Sequence, residues 1–290
     1  MLNSSVTTLM LRSVIGLSMR AYRASPFYPR LGKSLAKVLA LTTRWHGNEP
    51  VVHTVNGITF ELDLREVIDA SLYYSDTFEA SAEQAIANSV KAGMIAIDVG
   101  ANIGYHTFAL AKLAGPAGHV IAIEPTARAF NRLKRNSELN DFKNITFIKV
   151  GLGDKELGEV EINFQSSYRL DGSRDESKER VVLTTLDAVV REQALPRVDF
   201  MKVDVDGFEG KVFRGADETL RRFRPRMLFE LTPAAMKANG DDPLELMNNL
   251  CLLGYEFTTE SGQPVTDLET LCAKPAESGS VNLVASVPRP

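Results

Sequence analysis

The sequence predicts an α/β domain built on a mostly parallel sheet of about seven strands, Rossmann-like, with helices on both faces. Three observations carry this. From residue 94 onward, short apolar strands alternate with helical patterns, as in parallel βαβ units. The stretch "AIDVGANIGYHTFAL" (96–110) is a strand that breaks into small residues and resumes as a helix, the form of a ligand-binding turn. Four strands end in acids, Asp98, Glu124, Asp204 and Glu230, and open α/β sheets bind ligands at those carboxyl ends.

The elements follow in order. The first 48 residues carry seven Lys or Arg and no acid. They read as a basic helical extension interrupted at "SPFYP", with a membrane-surface helix and a targeting peptide as the competing readings. "VVHTVNGITFELDLREV" (51–67) alternates around Asn56-Gly57, a strong hairpin signal. "TFEASAEQAIANSVK" (77–91) reads as a helix, so 49–92 form a covering segment and 93–290 the main domain. Core strands are expected at 94–98, 119–124 and 145–150, with helices at 103–114 and 126–139. "GEVEINFQ" (158–165) is a short strand, and the charged run 166–180 is expected as a mobile loop before "VVLTTLDAVV" restores order. "RVDFMKVDVDG" (197–207) is a buried strand ending in acids, followed by one helix over "FEGKVFRGADETLRRF". "PRMLFELTP" is a further strand. "DPLELMNNLCLLG" is a helix punctuated by Pro243 and Gly254. "YEFTTE" and "SVNLVASV" close the chain as an antiparallel strand pair.

At 290 residues, 44% hydrophobic and 24% charged, the chain has the composition of a soluble globule with a sizeable core. A net charge of −4 gives no electrostatic reason to expect nucleic acid. Cys251 and Cys272 match no zinc or redox spacing, so a cytoplasmic setting is the default. No apolar run reaches transmembrane length.

The turn serves two cofactor classes, dinucleotides and S-adenosylmethionine. It reads G-A-N-I-G rather than G-x-G-x-x-G, with Asp98 two residues before Gly100. A carboxylate there sits badly beside a pyrophosphate but suits the ammonium of an amino-acid moiety. Glu124, twenty residues past Gly104, is placed to accept both hydroxyls of a ribose in either class. Asp98 therefore tips the reading toward S-adenosylmethionine, held by Asp98, Gly100, Asn102, Gly104 and Glu124. Asp154, in "VGLGD", is placed to accept the adenine amino group.

"DVGANIGYHTFALAKLAGPAGHVIAIEP", "VGLGD", "KVDVDGFEGKVFRGA" and "PRMLFELTP" together resemble the FkbM family of S-adenosylmethionine-dependent methyltransferases over roughly 77–233. The resemblance implies a class I methyltransferase fold and O-methylation of sugars or natural-product hydroxyls. Family members commonly carry glutamate where this chain has Asp206.

A hydroxyl acceptor needs a base or a metal to take or loosen its proton. Asp204 and Asp206 are the candidate catalytic acids, followed by Glu209 on the same turn. His106 is a weaker candidate for the base. Lys202 shares the face of Asp204 on the strand and is expected to pair with it. The Asp204, Asp206 and Glu230 set could hold magnesium through oxygen ligands, but nothing in their spacing demands it. Tyr168, Arg169 and Arg174 in the charged run are candidate lid residues, and Tyr73, Tyr74 and Glu79 candidate covers for the cofactor. The expected partner is a small-molecule or glycan hydroxyl, with membrane contact through residues 1–48 open. The alternatives are an NAD-dependent oxidoreductase, though no Tyr–Lys pair four apart on a helix supplies its proton donor, and a non-catalytic binding module.

Overall fold

The computed structural model describes residues 49–165, 169, 176–273 and 279–288. Two units separate by their internal contacts: the described residues of 1–79 and 163–178 in one, 80–162 and 179–290 in the other. The basic extension 1–48 and the lid candidates Tyr168 and Arg174 lie outside the described residues.

In the smaller unit, β1 (Val51–Val55) and β2 (Ile58–Leu62) form the expected hairpin. Asn56 and Gly57 both have positive φ, 52° and 76°, as a two-residue turn matched to strand twist requires. A helix the pattern did not announce, α1 (Val67–Ser75), follows. It carries Tyr73 and Tyr74, whose rings meet edge to face at 5.0 Å. Arg169 bridges Glu66 through the backbone.

The larger unit opens with α2 (Ala80–Ser89). Its sheet contains β3 (Ile95–Val99), β4 (His119–Ile123), β5 (Ile145–Ile148), β9 (Phe200–Val203), β10 (Arg226–Leu231), β11 (Glu256–Thr259) and β12 (Val281–Ser286). The spatial order is β11-β12-β10-β9-β3-β4-β5. β12 runs antiparallel to both neighbours, as the closing strand pair predicted, and the other ladders are parallel. The order reverses between β3 and β9, which makes that boundary the switch point where a crevice opens.

Alternation along the strands assigns the two faces. Ile97, Val99, Ile121, Ile123, Met201, Val203, Met227 and Phe229 pack into one apolar layer. Ala96, Val120, Phe200, Leu228 and Val284 pack on the other, against α2 and α3 (Tyr105–Ala114). Asp98, Lys202, Asp204, Glu124 and Glu230 share the parity of this second set, so the charged row faces the α2–α3 side.

Two expectations are corrected. Residues 176–180 are not loop: β8 (Glu176–Thr184) lies between β6 (Gly151–Leu152) and β7 (Gly158–Gln165) in a small three-stranded sheet. Its charge has a structural use, because Glu179 accepts the Ala127 N–H at 2.7 Å, at the start of α4 (Ala127–Glu138), and binds Lys149 at 3.0 Å. The single helix expected after "VDVDG" is two, α6 (Glu209–Arg214) and α7 (Asp217–Phe223). At the break, the Gly215 carbonyl leaves the helical ladder to accept the Asp187 N–H at 2.9 Å. Asp187 itself belongs to α5 (Leu186–Glu192), and its carboxylate caps the new start by accepting the Glu218 and Thr219 amides. A Cβ on Gly215 would stand 2.0 Å from the Gly153 carbonyl oxygen, so the junction admits only glycine.

Beyond β10 come α8 (Pro233–Ala238), α9 (Pro243–Leu252) and α10 (Leu268–Cys272). Only α9 was legible beforehand, through Asp242, whose side chain caps Leu244 at 2.9 Å, and Pro243. Among the described residues, no helix is long and apolar enough to cross a membrane.

Candidate active site

The site gathers at the carboxyl ends of β3, β9 and β10. Register across the parallel ladders sets Asp98 beside Lys202, and Val203 beside Phe229, which brings Asp204 and Glu230 together one step further on. Lys202 is 5% exposed, and its ammonium meets Asp204 Oδ2 at 2.9 Å. The predicted pairing is therefore present. Burial alone would raise the Asp204 carboxyl, but the Lys202 ammonium, by charge and hydrogen bond, and a hydrogen bond from Glu230 hold it below the usual carboxylate range. Glu230 moves the other way, pushed up by burial and by the Asp204 charge, with lesser contributions from Glu209 and Asp206.

Asp98 is fully buried. Thr107, in the first turn of α3, donates to its Oδ2 at 2.6 Å, while Oδ1 has no hydrogen-bond partner. Burial lifts its carboxyl above the ordinary value, against the pull of Lys202 and Thr107. His106, the neighbouring residue, is pushed down to about 3 by burial and by the Lys202 charge, so it is a neutral imidazole at physiological pH.

The glycine turn does something other than the sequence suggested. A Cβ on Gly100, which has φ +82°, would lie 1.9 Å from the Asp204 backbone oxygen. Glycine is required there because the turn after β3 lies against the backbone that ends the neighbouring strand β9. On Gly104 a Cβ would strike Phe108 and Leu133. The turn's amides are also engaged: those of Gly100 and Ala101 donate to the Ile123 carbonyl, and that of Gly104 to Ala101. Asn102 (φ 49°) donates its N–H to Glu124 Oε2 at 3.0 Å. Each of these four turn amides thus has a protein acceptor.

Glu124 ends β4, nearly buried, and its other oxygen accepts from the Thr126 amide (3.0 Å) and hydroxyl (2.7 Å). Three donors thus fix the carboxylate's orientation. Asp154 follows β6 in the small sheet rather than a core strand, with its carboxylate 3.5 Å from Arg214. Arg214 is tied in turn to Asp241 at 2.6 Å.

Asp206 is exposed and sits in the left-handed region with φ 51°. Glu209 is fully buried beneath it. Its Oε1 accepts the amides of Val205 (3.1 Å) and Gly207 (3.2 Å), clamping the turn that carries Asp206, and Oε2 has no hydrogen-bond partner. Burial raises the Glu209 carboxyl to about 7. Sequence reasoning named Glu209 without seeing this clamp. The spacing of four between Val205 and Glu209, around a glycine, was the only available signal. The Asp204–Glu230 contact was missed because the register of β9 against β10 is a tertiary fact. Among the described residues, no three His, Cys, Asp or Glu side chains gather as a set able to hold a metal ion.

A seven-stranded sheet in this order, with one antiparallel strand second from its edge and acids lining the switch point, is the class I methyltransferase fold. The FkbM methyltransferase domain matches residues 98–257. The chain belongs to that family and carries an S-adenosylmethionine-dependent methyltransferase domain. Methyltransferase sdnD of Sordaria araneosa is 29% identical over 186 residues, covering 52% of this chain and 70% of that protein. Protein-L-isoaspartate O-methyltransferase of Methanothrix thermoacetophila is 36% identical over 69 residues, 24% of this chain and 31% of the relative. Among solved structures, methyltransferase FkbM from Methylobacillus flagellatus KT aligns with a TM-score of 0.42 at 15% identity, covering 68% of this chain and 44% of that one. M. jannaschii TYW2 in complex with AdoMet aligns at 0.45 and 19%, covering 82% and 85%. The chain thus spans less than half the length of the isoaspartate enzyme and of the FkbM structure.

Proposed function

We propose that the chain transfers a methyl group from S-adenosylmethionine to a hydroxyl of a sugar or natural-product acceptor. The observation that carries this is the row of acids at the switch point, with Lys202 buried among them. When bound, the sulfonium supplies an electrophilic methyl group. The chain's own residues then have three tasks.

The first is to hold the cofactor. Asp98 has a buried carboxylate oxygen without a partner, which suits an ammonium, directly or through water. Glu124 is oriented by three protein donors, and its remaining lone pairs suit the ribose hydroxyls. Asp154 is the candidate for the adenine amino group, steadied by Arg214. Gly100, Asn102 and Gly104 shape the turn that brings Glu124 toward Asp98. The second task is alignment, since in-line displacement depends on near-attack geometry. The third is to take the acceptor's proton, for which Asp204, Asp206 and Glu230 are at hand.

The dinucleotide reading loses ground on the same geometry. A pyrophosphate needs free turn amides, and those of Gly100, Ala101, Asn102 and Gly104 are committed to the protein.

Calorimetric titration with S-adenosylhomocysteine and NAD separates the two. Charged hydrogen bonds are worth about 1.5–3 kcal/mol each, so Glu124→Ala is expected to weaken S-adenosylhomocysteine by at least about tenfold. Asp98→Asn is expected to weaken it too, from the amino-acid end. Unchanged S-adenosylhomocysteine affinity in both variants, or tighter NAD binding on loss of Asp98, would sink the cofactor assignment.

A further inference from the structure

We infer that Glu230, rather than Asp204 or Asp206, is the group that receives the acceptor's proton, and that Asp204 is the positioning residue that tunes it. This rests on the methyl-transfer reading above and assigns the base within that site.

The two carboxyl groups end adjacent parallel strands and are linked by a hydrogen bond. Their surroundings differ. Asp204 is gripped by the Lys202 ammonium at 2.9 Å and also receives the Glu230 hydrogen bond, so its charge is neutralised from two sides. A carboxylate held that way has little affinity for another proton. Asp206 stands exposed on the outer turn.

Glu230 is half-buried and contacts no cation. Facing it are Asp204 and Asp206 from the end of β9 and its turn, and Glu209 from α6. Ser280 hydrogen-bonds it from the start of β12, where Asn282 is its ladder partner. His106, which bears on Asp204, is neutral, and Lys202 is spent on Asp204. Three acids bear on this one carboxyl, and among the described residues no cation forms an ion pair with it, which makes it the most basic of the three candidates. A general base works best with a pKa near the working pH.

In the step itself, the acceptor oxygen's lone pair forms the O–C bond while the C–S pair returns to sulfur, leaving a neutral thioether. The hydroxyl proton passes to the ionised Glu230, which later releases it to water. At lower pH Glu230 carries its own proton, donated in the hydrogen bond to Asp204, and cannot act.

Two readouts on the full-length chain test this. The first needs no acceptor: carbon-13 NMR of glutamate-labelled protein saturated with S-adenosylhomocysteine, followed across pH. The resonance lost in Glu230→Gln is expected to titrate well above the ordinary glutamate value of about 4.3. In Asp204→Asn it is expected to move down by about one unit or more, because a neighbouring negative charge is gone.

The second readout is transfer of labelled methyl from S-adenosylmethionine to a panel of methyl glycosides. The rate should rise with pH through the same titration. It should fall about 100-fold or more in Glu230→Gln and recover in part, with its limb, in Glu230→Asp. In Asp204→Asn the limb should shift to lower pH. An ordinary Glu230 titration, one indifferent to Asp204, or a wild-type pH profile in Glu230→Gln would overturn the assignment. So would loss of transfer at every pH in Asp204→Asn alone, or transfer abolished by EDTA and restored by magnesium. If wild-type protein binds S-adenosylhomocysteine but methylates no glycoside, the acceptor reading fails separately, and the titration still decides between Glu230 and Asp204.

Discussion

Replacing Gly100 by alanine tests the close approach of the turn after β3 to the backbone that ends β9. Two costs are expected, and a second glycine separates them. Gly93 also has φ +82°, but a Cβ there meets nothing within 4 Å. Gly93→Ala therefore reports the conformational penalty alone, about 1–2 kcal/mol for a side chain in the left-handed region. That is partly offset by the lower entropy of the unfolded chain, about 0.4–1 kcal/mol. Both contributions recur at Gly100. There, however, the new methyl group would lie 1.9 Å from the Asp204 carbonyl oxygen. Backbone cannot rotate aside as a side-chain tip can, so an overpacking cost of about 1–3 kcal/mol is added.

The prediction is that Gly100→Ala is less stable than Gly93→Ala by about 1–3 kcal/mol. It is read by urea unfolding of the full chain, followed by far-ultraviolet circular dichroism, with m-values compared. Because the displaced oxygen belongs to Asp204, Gly100→Ala should also weaken S-adenosylhomocysteine binding, while Gly93→Ala should not. Equal stability of the two variants would refute the claim that Gly100 is glycine for the sake of β9.

Two further outcomes follow from the buried titratable groups. Glu209 has its folded-state carboxyl raised to about 7, above its unfolded value, so its ionisation opposes folding. The cost is absent below about pH 4.5, grows as pH rises to about 7, and reaches about 3 kcal/mol at most. Glu209→Gln keeps an acceptor for the Val205 and Gly207 amides, and its stability relative to wild type should improve from pH 5 to pH 8 in urea titrations. A difference that stays flat with pH would contradict the buried, neutral Glu209. His106, held to about 3, should show no imidazole titration between pH 5 and 8 by proton NMR. A midpoint in that window would return it to the list of candidate bases.

The sequence by itself determined the alternation of strands and helices, the hairpin at Asn56-Gly57, the closing antiparallel pair and the family. These are carried by local signals: period-two and helical patterns, turn residues with positive φ, caps such as Asp242-Pro243, and a motif pair spaced across the chain. It also placed Asp98, Glu124, Asp204 and Glu230 at strand ends, because an acid terminating an apolar run is visible in one dimension. Tertiary structure decided what those acids touch. The register of β10 on β9 put Glu230 against Asp204, and the Asp204 backbone at the end of β9 filled the space beside Gly100. The Gly215 carbonyl was drawn out of its helix by Asp187, and β8 absorbed its charges by capping α4 through Glu179. Each of these depends on residues far apart in the chain meeting at a fixed offset. No local pattern encodes that offset, because it is set by packing both faces of the sheet at once.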